Sequence, residues 1–168
     1  MKAIVFVLIA LVAQLSFANV TFSPDGRVAT VEDLDNTYTY LNFTYYENDL
    51  YLERVHIIPK NAESTAVVQQ IDNQEITVKL RVDTGTVYTG KGMIFVEALE
   101  GDFYRIGIVF VPSANAKNEI RRGNVLRVHL VETDTFNAYS LEGSSNAIDV
   151  VKAASRYNAD SQHRKYFL

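Results

Sequence analysis

The sequence predicts a mainly β protein, an antiparallel β-sandwich, immunoglobulin-like or related, of about seven to nine strands, with one C-terminal α-helix packed on it. Three observations point there. Ile76-Thr-Val78-Lys-Leu80-Arg-Val82-Asp83 alternates aliphatic and polar residues with a period of two, as a strand with one buried face does. Several further runs rich in β-branched and aromatic residues are separated by glycine- or proline-containing breaks, and seven of the eight glycines, all but Gly107, lie at or near those breaks. Near the C-terminus, Ala147, Val150, Val151, Ala154 and Tyr157 fall on one stripe at helical spacing.

Taken in order, the chain opens with a leader-like segment. Lys2 is a short positive region, and Ala3 to Ala13 contains no polar residue. Ser16-Phe17-Ala18 then places small residues where a signal peptidase reads them, so residues 1–18 are expected to be a cleaved secretory signal. The apolar run is too short for a spanning helix, which needs about 20 residues, and no integral membrane span is expected after cleavage. What remains, about 150 residues, suits one domain, expected over 19–157. Export without a single Cys points to a bacterial periplasmic or extracellular setting, because secreted eukaryotic domains of this size often carry disulfides. Two glycosylation triplets, beginning at Asn19 and Asn42, shift this little.

Thr37 to Tyr46 and Leu50 to Ile58 read as strands joined through the hairpin-like break Glu47-Asn48-Asp49. Phe103 to Val111 is apolar on both phases, as a central strand covered on both faces would be. Val125 to Val131 alternates, with Leu126, Val128 and Leu130 on one side and Arg127 and His129 on the other. Pro59 and Pro112 end two of the runs. Asn146 can cap the C-terminal helix, with Asp149 near its positive end, and Gly143 before it suits a turn with positive φ. Residues 158–168, with His163, Arg164 and Lys165, read as a flexible basic tail.

The chemistry motifs are sparse. A net charge of −4 disfavours general nucleic-acid binding, and no nucleic-acid partner is expected. Zero Cys excludes thiol catalysis and cysteine-based zinc sites. There is no nucleophile elbow, zincin helix, phosphate loop or dinucleotide fingerprint, so neither catalytic residues nor a cofactor are expected. His56, His129 and an acid form a metal site only on paper, without ligand spacing, and no metal ligands are expected. Glu32-Asp33-Leu-Asp35-Asn36 has the acidity of a calcium loop but lacks its glycine and distal glutamate, which leaves a solvated acidic turn.

Two groups could form a binding surface. Tyr38, Tyr40, Tyr45, Tyr46 and Tyr51, half of the ten tyrosines, cluster with Phe43, and their flat rings with polar tips suit sugar stacking or a protein interface. The plainer explanation is that aromatics favour strands. Lys79 and Arg81 with Arg127 and His129 make a basic face if their strands pair, although an ordinary solvated face would look the same.

Arg81-Val-Asp83-Thr-Gly85, Arg122-Gly123-Asn-Val-Leu126-Arg127-Val128 and Tyr139-Ser-Leu141-Glu-Gly143-Ser-Ser-Asn-Ala147-Ile148 occur in that order. Over residues 76–154 the chain resembles a bacterial periplasmic β-sandwich domain of type VI secretion-associated accessory proteins. Its last strand–glycine–helix segment is similar to invasion-associated locus B proteins. Those families often carry cysteines, one near the helix end, and this chain has none. The resemblance implies an extracytoplasmic, non-enzymatic accessory role with an envelope protein partner or self-association. Alternatives are a carbohydrate or peptidoglycan binder using the tyrosine segment, with a glycan as partner, and a periplasmic hydrolase.

Overall fold

The alternating runs pair into one continuous sheet. The computed structural model describes residues 20–165, with side chains through Arg156. Among these residues the elements are β1 (Val20–Phe22), β2 (Val28–Glu32), β3 (Thr39–Tyr46), β4 (Asp49–Pro59), α1 (Ala62–Ile71), β5 (Glu75–Val82), β6 (Val87–Ala98), β7 (Phe103–Phe110), α2 (Ala114–Ile120), β8 (Val125–Leu130), β9 (Thr135–Ser140) and α3 (Ser144–Lys165). All neighbours are antiparallel, in the order β1-β2-β3-β4-β7-β6-β5-β8-β9. Just past β2, Asp33 bridges Tyr139 of β9 and the Leu34 N–H donates to the Ala138 carbonyl at 2.8 Å. The far end of the sheet therefore comes round to meet β2.

This curl corrects the expected sandwich. The protein is mainly β, antiparallel, with nine strands among the described residues and a C-terminal helix packed on them, but the sheet is barrel-like rather than two layers face to face. Strand periodicity reports which face of a strand is buried and not which sheet buries it, so both architectures read alike in sequence. The expected signal segment lies outside the described residues.

Alternation fills the concave face. Leu41 and Phe43 of β3, Leu52 of β4, Val78 and Leu80 of β5, Ile108 and Phe110 of β7, and Leu126 and Val128 of β8 are buried in one cluster. All three helices pack on this same side. Ile71 of α1 and Ile120 of α2 join the cluster, as do Ala147, Ile148 and Val151 of α3. Ser144 ties α3 to α2, its hydroxyl donating to the Ile120 carbonyl at 2.9 Å.

Several element-level expectations shift. The buried stripe of α3 is Ser144, Ala147, Ile148 and Val151, while Val150 is exposed and Ala154 only half-buried; the Tyr157 side chain lies outside the described ones. The helix begins at Ser144, so Asn146 sits inside its first turn rather than capping it, and the backbone stays helical through Lys165. Gly143 has the anticipated positive φ, 81°. The β3–β4 connection is a tight hairpin in which Glu47 and Asn48 both have positive φ. In β7 only one face meets the core; on the other, Phe103 is exposed and Arg105 half-buried. β6 contains Gly90 and Gly92, which had read as a break. Gly92 faces the core where a Cβ would lie 3.0 Å from Ile108 Cγ2 and 3.1 Å from Val78 Cγ2, so a side chain there would have to push both neighbours back by a few tenths of an ångström.

The two short helices went unread because neither has a long apolar period, yet both have cap signals. Asn61 and Ser64 form a reciprocal capping box at α1, and the Ser113 hydroxyl accepts from the Ala116 N–H at α2.

Candidate binding face

The helices cover the concave side, and the opposite, convex side of the sheet carries no helix among the described residues. Strand parity decides which candidate residues reach it. On β3 and β4, Leu41 pairs with Arg54 and Phe43 with Leu52 on the buried side, so Tyr40, Tyr46 and Tyr51 lie on the convex side. Tyr38 precedes β3 and is exposed. Phe43 is fully buried, and Tyr45 also turns inward, where Lys152 of α3 lies 5.5 Å from its ring centre. The tyrosine cluster is thus split between two faces. On the convex side Tyr46, 63% exposed, and Tyr51 meet edge to face with centroids 6.2 Å apart.

A polar ladder runs beside these tyrosines. Thr30 of β2 donates to Asn42 Oδ1 at 2.8 Å, Asn42 Nδ2 donates to Glu53 at 3.0 Å, and Arg105 of β7 donates to Glu53 at 2.6 Å. The ladder crosses β2, β3, β4 and β7 and pins this half of the convex face.

The other half is basic, as the pairing condition required. β5 and β8 are neighbours, with Lys79 directly opposite His129 and Arg81 directly opposite Arg127. The two guanidinium groups converge on one turn: Arg81 donates to the Thr84 carbonyl at 3.1 Å and Arg127 to the Asp83 carbonyl at 2.8 Å. Among the described residues neither arginine has an ion pair with a carboxylate. The Asp83 carboxylate is taken by the N–H groups of Val125 and Asn124, which, ahead of the more distant Arg127 charge, hold its pKa below the ordinary range. His129 differs from the other three. Its Nε2 lies 3.1 Å from Asp134, and its ring stacks on Phe136 at 3.9 Å with 9° between planes. Phe136, 66% exposed, was not singled out from sequence; its place two residues before Ala138 on a strand neighbouring β8 was the available signal.

The two histidines weighed and set aside as metal ligands lie on opposite faces of the sheet, since His56 pairs with Thr39 on the concave side and His129 points outward. They cannot share an ion. The acidic turn is not simply solvated either. Asp33 is 8% exposed and faces inward toward Arg54 of β4 and Tyr139 of β9. Arg54, 6% exposed, donates from Nε to Asn137 Oδ1 at 2.9 Å across the concave interior. Burial pulls the Arg54 pKa down and pushes the Tyr139 phenol up. Asp33 Oδ2 and Tyr139 Oη are buried without a hydrogen-bond partner of good geometry among the described residues. Finally, the motifs Arg81 to Gly85 and Arg122 to Val128 come together around a shallow depression of about 310 Å³ lined by Asp83, Gly85, Glu119, Arg122 and Gly123.

No helix among the described residues is long and apolar enough to cross a membrane. No protein-family model matches the chain, and no curated protein matches it in sequence. In shape it is similar to the crystal structure of invasion-associated protein B from Bartonella henselae, with a TM-score of 0.49 and 15% identity over 82% of this chain and 92% of that one. That protein bears the name of one of the two families resembled in sequence; the type VI accessory proteins gain no support from it.

Proposed function

We propose that this is an exported bacterial envelope protein that acts without catalysis, through protein contacts made by the convex face of its sheet. The observation behind this reading is the one-sided distribution of the helices. A sheet face that no helix covers among the described residues, with Tyr46 exposed on one half and Phe136 exposed beside the cations of the other, has the aromatic and arginine content of a contact surface. The leader-like first eighteen residues support export.

The test is photo-crosslinking in a bacterial host that exports the protein. A crosslinking residue at position 46 or 81, on the convex face, is expected to trap a discrete partner or a second copy. The same residue at 153, on the exposed side of α3, is expected to trap none. Equal capture from 153, or none from 46 and 81, would refute the reading. Retention of Met1 in N-terminal sequencing of the exported material would refute the cleaved leader.

A second reading rests on the exposed Tyr46–Tyr51 pair, which offers a sugar-stacking platform. It expects glycan retention that Tyr46→Ala and Tyr51→Ala abolish.

A further inference from the structure

We propose that Arg81 and Arg127, with Lys79 beside them, form the docking site for an acidic segment of a partner protein. The inference rests on the convex-face reading and names the partner's chemistry. Like charges set directly opposite one another in an antiparallel pair repel, and sheets ordinarily avoid them or place an acid alongside. Here Arg81 faces Arg127 in register, yet both donate only to backbone carbonyls of the Asp83–Thr84 turn. Lys79, the next outward residue on β5, has no ion pair among the described residues. Other cations of the sheet and helices do pair with carboxylates, Arg105 with Glu53, Lys117 with Asp49, Arg121 with Asp149 and Lys91 with Glu75, while Lys60, like the two arginines, donates to backbone carbonyls. These three cations lie together on a chain of net charge −4, and the neighbouring Asp83 carboxylate, engaged by the Asn124 and Val125 N–H groups, acts on Arg127 only through space, so the patch stays net positive among the described residues.

The size of the patch selects the partner. It is two strands wide, about 5 Å between strands, and about 7 Å along them from Lys79 to Arg81. That spacing accommodates two or three carboxylates. Asp134 on the His129 side and Glu132 nearby bound it, and the remainder of the chain is acidic. An extended anionic surface, a bilayer or a long acidic polysaccharide, would meet that acidic remainder as soon as it left the patch. A short Asp/Glu-rich stretch of polypeptide would not. The exposed ring of Phe136, stacked on His129 next to Lys79 across the ladder, adds an apolar shoulder of the sort that anchors protein interfaces.

The experiment measures anisotropy of a fluorescein-labelled deca-glutamate peptide titrated with the folded protein. Binding at 20 mM salt is expected to weaken about tenfold or more by 200 mM, as the Debye length contracts. Arg81→Gln with Arg127→Gln is expected to weaken it about tenfold, and Lys152→Gln on the concave side to leave it unchanged. Urea unfolding of the double variant, with a midpoint no lower than wild type, shows that lost binding is not lost folding. Three results overturn the proposal: no peptide binding at 20 mM salt, equal affinity in the double variant, or tighter arginine-dependent binding to polygalacturonate or phosphatidylglycerol vesicles than to the peptide. Should the peptide fail while crosslinks at position 46 persist, the convex-face reading stands and only the acidic partner falls.

Discussion

Arg54 and Arg127 belong to strands of the same sheet and meet opposite fates. Arg54 points into the concavity, 6% exposed, where Asn137 accepts its Nε–H and Asp33 offsets its charge. Arg127 points outward beside a second arginine, donating to the Asp83 carbonyl of the neighbouring turn and sensing that residue's carboxylate only through space. The buried guanidinium has partners arriving from β9 and from the segment after β2, the two places where the curled sheet closes on itself. The exposed one is met, among the described residues, by the adjacent Asp83–Thr84 turn and by no distant strand. Polar groups on the inner face thus join strands distant in the chain, whereas on the outer face the Thr30–Asn42–Glu53–Arg105 ladder engages one half and the β5–β8 cations remain available to something other than this chain.

The largest effect should come from breaking the inner group. Arg54→Met removes the charge that accompanies buried Asp33 and leaves the Asn137 amide without its donor. A buried charge stripped of its partner typically costs about 3–5 kcal/mol. Adding Asp33→Asn should recover part of that loss, because the orphaned charge goes too. Urea unfolding of the two single variants and the double gives the coupling; strictly additive losses would mean that Arg54 and Asp33 do not sense each other.

Next in size is the helix that seals the concavity. Val151 is fully buried against the sheet, so Val151→Asp is expected to cost about 2–4 kcal/mol. Lys152→Asp should cost about 1 kcal/mol or less, mainly the contact of its ammonium with the Tyr45 ring. Equal unfolding midpoints for both variants and wild type would mean that α3 is not docked.

The convex face was more legible in the sequence than the concave one, for a geometric reason. Alternation marks one face of each strand as apolar, so Lys79, Arg81, Arg127 and His129 were assigned outward from their own neighbours, and only the pairing of β5 with β8 was left to find. Arg54 and His56 lie in a stretch where both phases mix apolar and charged residues, and nothing local places them inside. Their partners are Asn137, 83 positions away from Arg54, and Thr39 across the hairpin. The tyrosine cluster was legible in a different sense. Residues 40 and 46 share a parity that 43 and 45 do not, so period two already divided the group that density along the chain had joined. The curl of the sheet left no such mark, because it depends on β9 returning to the end of β2.

A smaller effect tests the inner face by pH. Burial, ahead of repulsion from Arg54, lowers the His56 pKa. In the unfolded chain the imidazole titrates near its ordinary value of about 6.5. As pH falls below that value the unfolded state takes up a proton that the folded state resists, so stability declines toward the lowered folded pKa. The ring is half-buried, so the slope should be only a fraction of the roughly 1.4 kcal/mol per pH unit that one full proton would give. His56→Gln should flatten the wild-type decline between pH 6.5 and 5 measured by urea midpoints; an unchanged slope would place the titrating group elsewhere.

The smallest effect is the most informative about the outer face. If Arg127 served the fold, replacing it would lower stability through the lost bond to the Asp83 carbonyl. If repulsion from Arg81 outweighs its attraction to the Asp83 carboxylate, removing its charge offsets that loss. Arg127→Gln keeps length and a donor amide while discarding the charge, so its unfolding free energy should match wild type within about 0.5 kcal/mol or exceed it. Raising salt should then narrow any gain, since screening weakens the same repulsion in wild type. A loss of 1 kcal/mol or more that persists in high salt would assign Arg127 to the structure, on the same footing as Arg54, and would erase the difference between the two faces.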